Sequence, residues 1–547
     1  MMKYLDMLEK RYVRFLLLAL GGMLTGLTLV APSIGIIEWV SLIPAAMALI
    51  SIVGDKRVRG RGLYGYGFFF FFCFYLINYH WFVNLYPLDF VHGMTKPAAV
   101  CVILAGCVGL SAFQAFFGGF AILIFGALAR ARITEKYKAL VPVYAAAAWA
   151  VFEWFLTLFW FGVPWGRLAI GQTKLLVGAQ SASLLGSHFV TFLIVAVNFF
   201  AAYAILYSEK RRLFALVSAA IFVANTALGG VLMLLDRDSG ESVAISAVQG
   251  NISSKEKWDL DMDQKTFSVY EEYTAEAAEA GADVVVWPET ALPYNIEDTA
   301  YKIRKVEGMA KKYGVTILVG AFTYNDDGKE LNSIIAVLPD GSHHETVYSK
   351  RHIVPFGEYV PLRELFELLI PQITDLSMRE DDLTPGEGAN IITLDEADVG
   401  SLICFDSIYD ELARDSVKSG AQILAISTND SWFVDSAALD MHNAQAKLRA
   451  IENRRYVVRA ANTGISSMIT PTGEVISSIG AQEGGQLTEE MGLRDSLTLY
   501  TRVGNLFVYL CILFGGGVLV TDAVQKLRKK EKADRFRIAY EKQQRQT

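Results

Sequence analysis

Three side chains that could together make and break an acyl bond lie far apart in this chain: the carboxylate of Glu289, the amine of Lys350 and the thiol of Cys404. The thiol stands out first. Of five cysteines, Cys73, Cys101, Cys107 and Cys511 fall in long apolar runs, whereas Cys404 lies in the polar part of the chain, in SLICFDSIYD (401–410). The stretch reads as a buried strand, Val399 to Ile403, entering the cysteine and then a helix patterned by Ile408 and Leu412. A strand–nucleophile–helix turn presents a side chain for attack, and a helix N-terminus would draw the thiol toward thiolate. The competing reading is a small core hydrophobe, since free Cys is often buried.

A nucleophilic thiol needs a base. Among His343, His344, His352 and His442, the better candidates for a Cys–His pair are His352 and His442. A carboxylate serves as well if burial raises its pKa. Glu289 follows an apolar strand and a proline in VVVWPET, an odd place for a charge unless it points into a site. Lys350 and Glu358 share the stretch VYSKRHIVPFGEYVP (347–361), where each alone could be an ordinary solvated residue. No Cys/His cluster has zinc-ligand spacing and no Gly-rich phosphate loop follows a strand, so neither metal nor organic cofactor is expected.

These residues need a scaffold, and composition says where it lies. Of 547 residues, 53% are hydrophobic and 12% aromatic, too apolar for an average soluble protein. The net charge of −7 gives no sign of nucleic-acid binding. Eight runs approach the roughly 20 apolar residues that cross a bilayer, near Phe15–Val30, Ile34–Val53, Leu63–Val83, Ala98–Leu128, Leu140–Phe161, His188–Tyr207, Leu213–Leu235 and Val503–Val520. Basic residues cluster at the N-terminus, at Lys56–Arg61, Arg130–Lys138 and Lys210–Arg212, and in the tail from Lys526, while the intervening loops are sparse in them. The positive-inside rule then sets both termini in the cytoplasm and 236–502 outside it. The expected division is a seven-helix region (1–235), an α/β domain (236–502), and an eighth span with a basic tail (503–547). Within the α/β domain, short apolar runs at 242–250, 282–288, 315–322, 333–339, 399–404 and 421–428 alternate with helical patterns at Met262–Ala280 and Thr299–Tyr313. NTGISSMITPTGEVI (462–476) reads as a hairpin turning at Pro471–Thr472–Gly473.

In order along the chain, WPET, YSKRHIVPFGEYVP and ICFD resemble the Glu–Lys–Cys signature of the nitrilase superfamily, and VQGNI (248–252) is typical of its domain start. With seven spans before and one after, the whole chain resembles the apolipoprotein N-acyltransferase family. The resemblance implies an αββα sandwich outside the cytoplasm of a bacterial inner membrane, on a multi-pass monomer. It implies a phospholipid acyl donor and a diacylglyceryl-cysteine apolipoprotein acceptor. It makes Glu289 the general base, Lys350 the oxyanion stabiliser and Cys404 the nucleophile, with the Phe405 N–H as a second oxyanion donor. Glu358 matches the family's second glutamate, and Trp258 a tryptophan that shapes the site. Two departures stand out. Cys404–Phe405–Asp406 replaces the usual Cys–Tyr–Glu, leaving Asp406 as either a helix cap or a substrate contact. TNDSWFV ends on Val434 where the family has glycine, so a different local turn is expected, because Val resists positive φ. The apolar arm PLRELFELLIPQI (361–373), including Leu365, Phe366, Leu368, Leu369 and Ile370, is either a core helix or a lipid-facing entrance that Trp432 and Phe433 join.

Two other readings compete. A membrane-tethered amidase would use the same triad with water as acceptor. A transporter with an outside sensing domain would favour functional charges within the spans, and only Glu38, Glu153, His80 and His188 come near that description.

Overall fold

The computed structural model describes residues 7–31, 34–88, 94–159, 162–237, 240–253, 263–364, 368 and 382–544. Among them, six helices are long and apolar enough to cross a membrane: α1 (Arg11–Val30), α2 (Gly35–Gly54), α4 (Lys96–Ala129), α6 (Ser187–Leu206), α7 (Ser208–Leu234) and α12 (Leu506–Gln544). The remaining two expected runs are also helical, as α3 (Gly60–Asn78, 19 residues) and α5 (Leu140–Phe155, 16 residues). Helix α5 stops short of the expected Phe161 because the chain turns at Leu156–Phe159 and then enters Pro164. α1 and α3 approach closely through Gly22, where a Cβ would stand 2.8 Å from the Phe70 carbonyl oxygen. Leu216, Val223 and Leu234 on α7, and Leu513 and Val520 on α12, face outward, as surfaces in contact with lipid would. Of the charges near the span interiors, Glu153 has both oxygens engaged, while one Glu38 oxygen and both His188 ring nitrogens are buried without a hydrogen-bond partner among the described residues. Glu38 accepts from Gln172, and Glu153 from Trp149, the Leu168 N–H and Thr191.

Among the described residues, the α/β part is two six-stranded sheets face to face. The first holds β1 (Ser242–Gln249), β2 (Val284–Val286), β3 (Thr316–Tyr324), β4 (Glu330–Val337), β5 (Tyr348–Ser349) and β12 (Gly485–Gly492), in the order β12-β1-β2-β3-β4-β5. The second holds β6 (Ile392–Thr393), β7 (Asp398–Ile403), β8 (Ile423–Thr428), β9 (Val457–Ala461), β10 (Ser466–Ile469) and β11 (Val475–Ile479), in the order β11-β10-β9-β8-β7-β6. β1, β2 and β3 run parallel, as do β7, β8 and β9. These central strands are buried on both faces, which is why they read as unbroken apolar runs. Their alternate residues serve different layers. Ile423 and Ala425 face the first sheet, whereas Leu424 and Ile426 face α10 (Asp410–Lys418) and α11 (Ala437–Asn453). On the other side, α8 (Asp263–Glu279) and α9 (Ala300–Tyr313) cover the first sheet. The expected hairpin is β10–β11, turning at Gly473 with φ +86°.

The α/β part rests directly on the helical part, and one continuous apolar core runs from α1–α6 into α10 and α11. Arg167 crosses the junction to pair with Asp410 at 2.8 Å and to donate to the Ile408 carbonyl at 3.1 Å. Tyr409 donates to the Gly162 carbonyl, and Lys447 to that of Thr173. A buried ion pair is weak evidence for stability on its own, but it fixes register, and here it does so six residues from Cys404.

Candidate active site

The site lies where three strands end. Glu289 follows β2, Lys350 follows β5 and Cys404 follows β7; the C-terminal edges of parallel strands are the usual place for a site in an α/β fold. The Glu289 turn presses on β3 so closely that a Cβ on Gly320 would stand 2.4 Å from the Pro288 carbonyl oxygen. Ser427 of the second sheet donates to the Trp287 carbonyl at 2.9 Å, tying the two sheets together beside that turn.

Lys350, 1% exposed, donates to Glu289 Oε1 at 2.9 Å and to Glu358 Oε1 at 2.8 Å. Asn332 of β4 bridges the same two oxygens at 2.8 and 3.2 Å. The remaining oxygens are held by main chain: Glu289 Oε2 accepts from the Asn429 N–H at 2.9 Å and Glu358 Oε2 from the Val354 N–H at 2.8 Å. Burial works against the Lys350 charge, but the two carboxylates outweigh it and hold its pKa well above that of a free lysine. Burial, and then the Glu289 charge, raise Glu358, with Lys350 opposing them. One ammonium shared between two buried carboxylates thus leaves the Glu358 pKa above that of a free glutamate.

Cys404 is packed against the inter-sheet core yet keeps part of its surface open. Its backbone is left-handed, φ +48°, a strained conformation for a residue with a Cβ and one found at sharp nucleophile turns. The following helix is a five-residue 3-10 turn, Cys404–Ile408, and α10 begins only at Asp410. The expected α-helix dipole is thus not at the thiol. Burial first, and the Glu289 charge second, push the thiol well up, against a smaller downward pull from Lys350. A thiol raised in this way needs a base to take its proton. Glu289→Gln is accordingly expected to move the pH midpoint of iodoacetamide alkylation at Cys404 downward. An unchanged or higher midpoint would contradict this electrostatic arrangement.

Neither histidine singled out as a base reaches the thiol as a partner. His352 stacks on Tyr409, ring centroids 3.8 Å apart. His442 is buried and meets the Cys404 carbonyl at 3.2 Å. Asp406 is buried and fully engaged. Its carboxylate accepts from the Ile403 N–H at 3.2 Å, the His352 N–H at 2.8 Å and the Tyr348 hydroxyl at 2.9 Å. It is the third residue of the 3-10 turn, bonding back to the turn's start, and it ties the lysine loop to the cysteine loop. Phe405 is half-buried, its ring edge-on to Tyr409. Trp432 lies half-buried in the 3-10 turn Ser431–Phe433. Val434 corrects the expectation of a different turn: it takes φ +50°. The turn is held around it, with Phe433 packed on Trp81 and Trp165 and Asn84 donating to the Asp435 carbonyl. The Val434 side chain meets little, being 45% exposed. Trp258 and most of the 361–373 arm lie outside the described residues; Leu368 is exposed. Asn332 and Asn429 were not foreseen, because a lone Asn in a strand or after one carries no distinguishing signal.

Comparison with known proteins matches two separate parts of the chain. Residues 21–200 match the apolipoprotein N-acyltransferase N-terminal domain, and residues 244–495 match carbon-nitrogen hydrolase. The apolipoprotein N-acyltransferase of Geobacter metallireducens is 31% identical over 382 residues, covering 67% of this chain and 71% of that protein. The protein of that name from Gloeobacter violaceus is 29% identical over 504 residues, covering 92% of this chain and 93% of that one. A third, from Chromobacterium violaceum, is 32% identical over 375 residues, 66% of this chain and 69% of that protein. A nitrilase-like α/β sandwich seated on apolar helices, with relatives that match both parts at once, leaves one assignment: the chain belongs to the apolipoprotein N-acyltransferase family.

Proposed function

We infer that this enzyme moves an acyl chain from a phospholipid, through a thioester on Cys404, to the N-terminal amine of a diacylglyceryl cysteine. Its strongest support is the buried Glu289–Lys350–Glu358–Asn332 cluster beside a strained cysteine, packed on helices that can keep it at a lipid surface.

Glu289 takes the Cys404 proton and the thiolate adds to the ester carbonyl. The carbonyl oxygen becomes an oxyanion, held by the Lys350 ammonium and the Phe405 N–H. Collapse breaks the ester C–O bond, and protonated Glu289 returns its proton to the leaving lysophospholipid oxygen. In the second half the acceptor amine attacks the thioester and gives a proton to Glu289. The C–S bond breaks, an amide forms, and the proton returns to sulfur. One carboxylate acts as base and acid in turn. Glu358 keeps Lys350 in place, and Trp432 and Phe405 border the path of the acyl chain. One chain carries every group, so a monomer suffices.

Both substrates are confined to a bilayer, which accounts for the helical part. We place eight spans, adding α3 and α5 to the six long apolar helices, with both termini cytoplasmic and 236–502 periplasmic. Reporter fusions after Arg61, Lys138 and Arg212 should report cytoplasm, and a fusion within 240–495 the opposite side. A cytoplasmic signal from that last fusion would overturn both topology and substrate.

The acceptor is tested with phospholipid labelled in its acyl chain. Adding a diacylglyceryl-cysteine peptide should send label into an amide on the peptide, with ping-pong kinetics. Release of free fatty acid at the same rate with or without peptide would make the protein a hydrolase.

A further inference from the structure

We propose that His442 is a positioning residue for acyl transfer: by holding the Cys404 carbonyl, it aims the Phe405 N–H into the site as an oxyanion donor. The proposal rests on Cys404 being the acylated residue.

The Cys404 carbonyl oxygen is met by two side chains. The Ser407 hydroxyl donates to it at 2.7 Å, and His442 Nε2 lies 3.2 Å from it and 3.0 Å from Ser407 Oγ. Because the Ser407 proton is committed to that carbonyl, Nε2 meets the pair as a donor. The far side of the ring is fixed too. Nδ1 lies 2.9 Å from Asp430 Oδ1, and the other Asp430 oxygen accepts from Arg459 at 2.6 Å. Burial alone would raise the Asp430 pKa, but Arg459 and His442 hold it well below the usual carboxylate range, so this anchor stays charged. Trp165, from the helical part, packs on the imidazole with ring centroids 5.5 Å apart. Ser407, His442 and Asp430 stand in the order of a hydrolase triad, but Ser407 is fully buried and its proton points at main chain. The arrangement grips a peptide group and offers no second nucleophile.

That grip has a consequence through geometry. The carbonyl of Cys404 and the N–H of Phe405 belong to one planar trans peptide and point in opposite directions. Pinning the oxygen toward His442 turns the N–H away from it. The same pin restrains the peptide that follows Cys404, whose own φ is +48°. His442 thus acts on the oxyanion through the peptide it holds, without touching substrate.

The experiment compares His442→Asn with His442→Gln in the full-length protein in phospholipid nanodiscs. Asn places its amide near the Nδ1 position, facing Asp430, and falls short of Cys404. Gln carries an N–H to where Nε2 lies. Two rates are read at Cys404: acylation by phospholipid, which develops an oxyanion, and alkylation by iodoacetamide, which does not. His442→Asn should slow acylation on the order of 10²-fold, as expected for one lost or misdirected oxyanion donor, with KM for phospholipid and the alkylation rate close to wild type. His442→Gln should recover most of the loss. Ser407→Ala, which keeps the imidazole, should fall between them and guards against a folding failure at position 442. Equal loss in both rates would mean general disorder of the turn. Equal acylation by Asn and Gln variants, or wild-type rates in all of them, would mean that the carbonyl contact does not matter. Each of these overturns the proposal while leaving Cys404 acylation intact in the wild type. Absence of any wild-type adduct would remove the nucleophile assignment and this proposal together.

Discussion

Glu289→Gln is expected to abolish formation of the Cys404 adduct while leaving a folded protein. General acid–base catalysis contributes roughly 10²–10⁴ in rate. In the mechanism proposed above one carboxylate serves both halves of the reaction, which puts the expected loss at the upper end of that range. Neither candidate histidine offers a substitute base, because His442 faces the Cys404 carbonyl and His352 is stacked on Tyr409. Gln is nearly isosteric but cannot satisfy every partner. Glu289 accepts from Lys350, Asn332 and the Asn429 N–H, so an amide NH₂ must face a donor whichever way it turns. About 1–3 kcal/mol of stability should go with that mismatch, visible as a lowered Tm. Glu289→Asp keeps the charge and should retain slow acylation. Wild-type adduct formation in a folded Glu289→Gln protein would eliminate Glu289 as the base.

Lys350 carries the second large effect. Lys350→Arg should lose on the order of 10²–10³ in acylation rate, the usual cost of one oxyanion donor. The ammonium sits between Glu289 and Glu358 at 2.9 and 2.8 Å in a buried slot, and a planar guanidinium cannot place its charge at the same point. Lys350→Met goes further. It leaves two buried carboxylates without a countercharge, a loss of roughly 3–5 kcal/mol when both are forced to ionise. They respond by keeping protons, which disables Glu289 as a base as well. The sign of the pH effect follows. Burial already raises Glu358 with Lys350 present, and removing the ammonium that opposes this raises it further. Folded carboxylates with raised pKa cost stability once the pH exceeds the unfolded value near 4.3. The Tm deficit of Lys350→Met relative to wild type should therefore be larger at pH 8 than at pH 5. A deficit that is equal at both, together with near-normal turnover in Lys350→Arg, would reduce Lys350 to a structural charge.

Much of this was legible in the chain because burial and function each leave a mark on residue type. Strands covered on both faces appear as runs such as VVVW and ILAIST, and β2 and β8 lie within them. A charge directly after such a run, as at Glu289, has little reason to be there except a site. What stayed hidden depends on tertiary partners. Asn332 bridges two carboxylates only because β4 lies between the glutamate turn and the lysine loop. Asp406 fits both a cap and a contact on paper, and its role emerges only when Tyr348 and the His352 N–H arrive from 54 or more residues away. Arg167 counts as one of two basic residues in a sparse loop, yet it is buried against Asp410. Positive φ at Cys404 and Val434 runs against local preference; packing around each turn holds it, and no propensity reports that.

The central claim is that Cys404 carries the acyl group between two substrates. Its most direct test is the intact mass of the purified protein, and of the peptide containing Cys404, after incubation with phospholipid and no acceptor. That peptide should gain one acyl mass in the wild type and none in Cys404→Ala, and the adduct should be discharged when a diacylglyceryl-cysteine peptide is added. Full N-acylation of the acceptor by Cys404→Ala, or an adduct on any other residue, would contradict the claim.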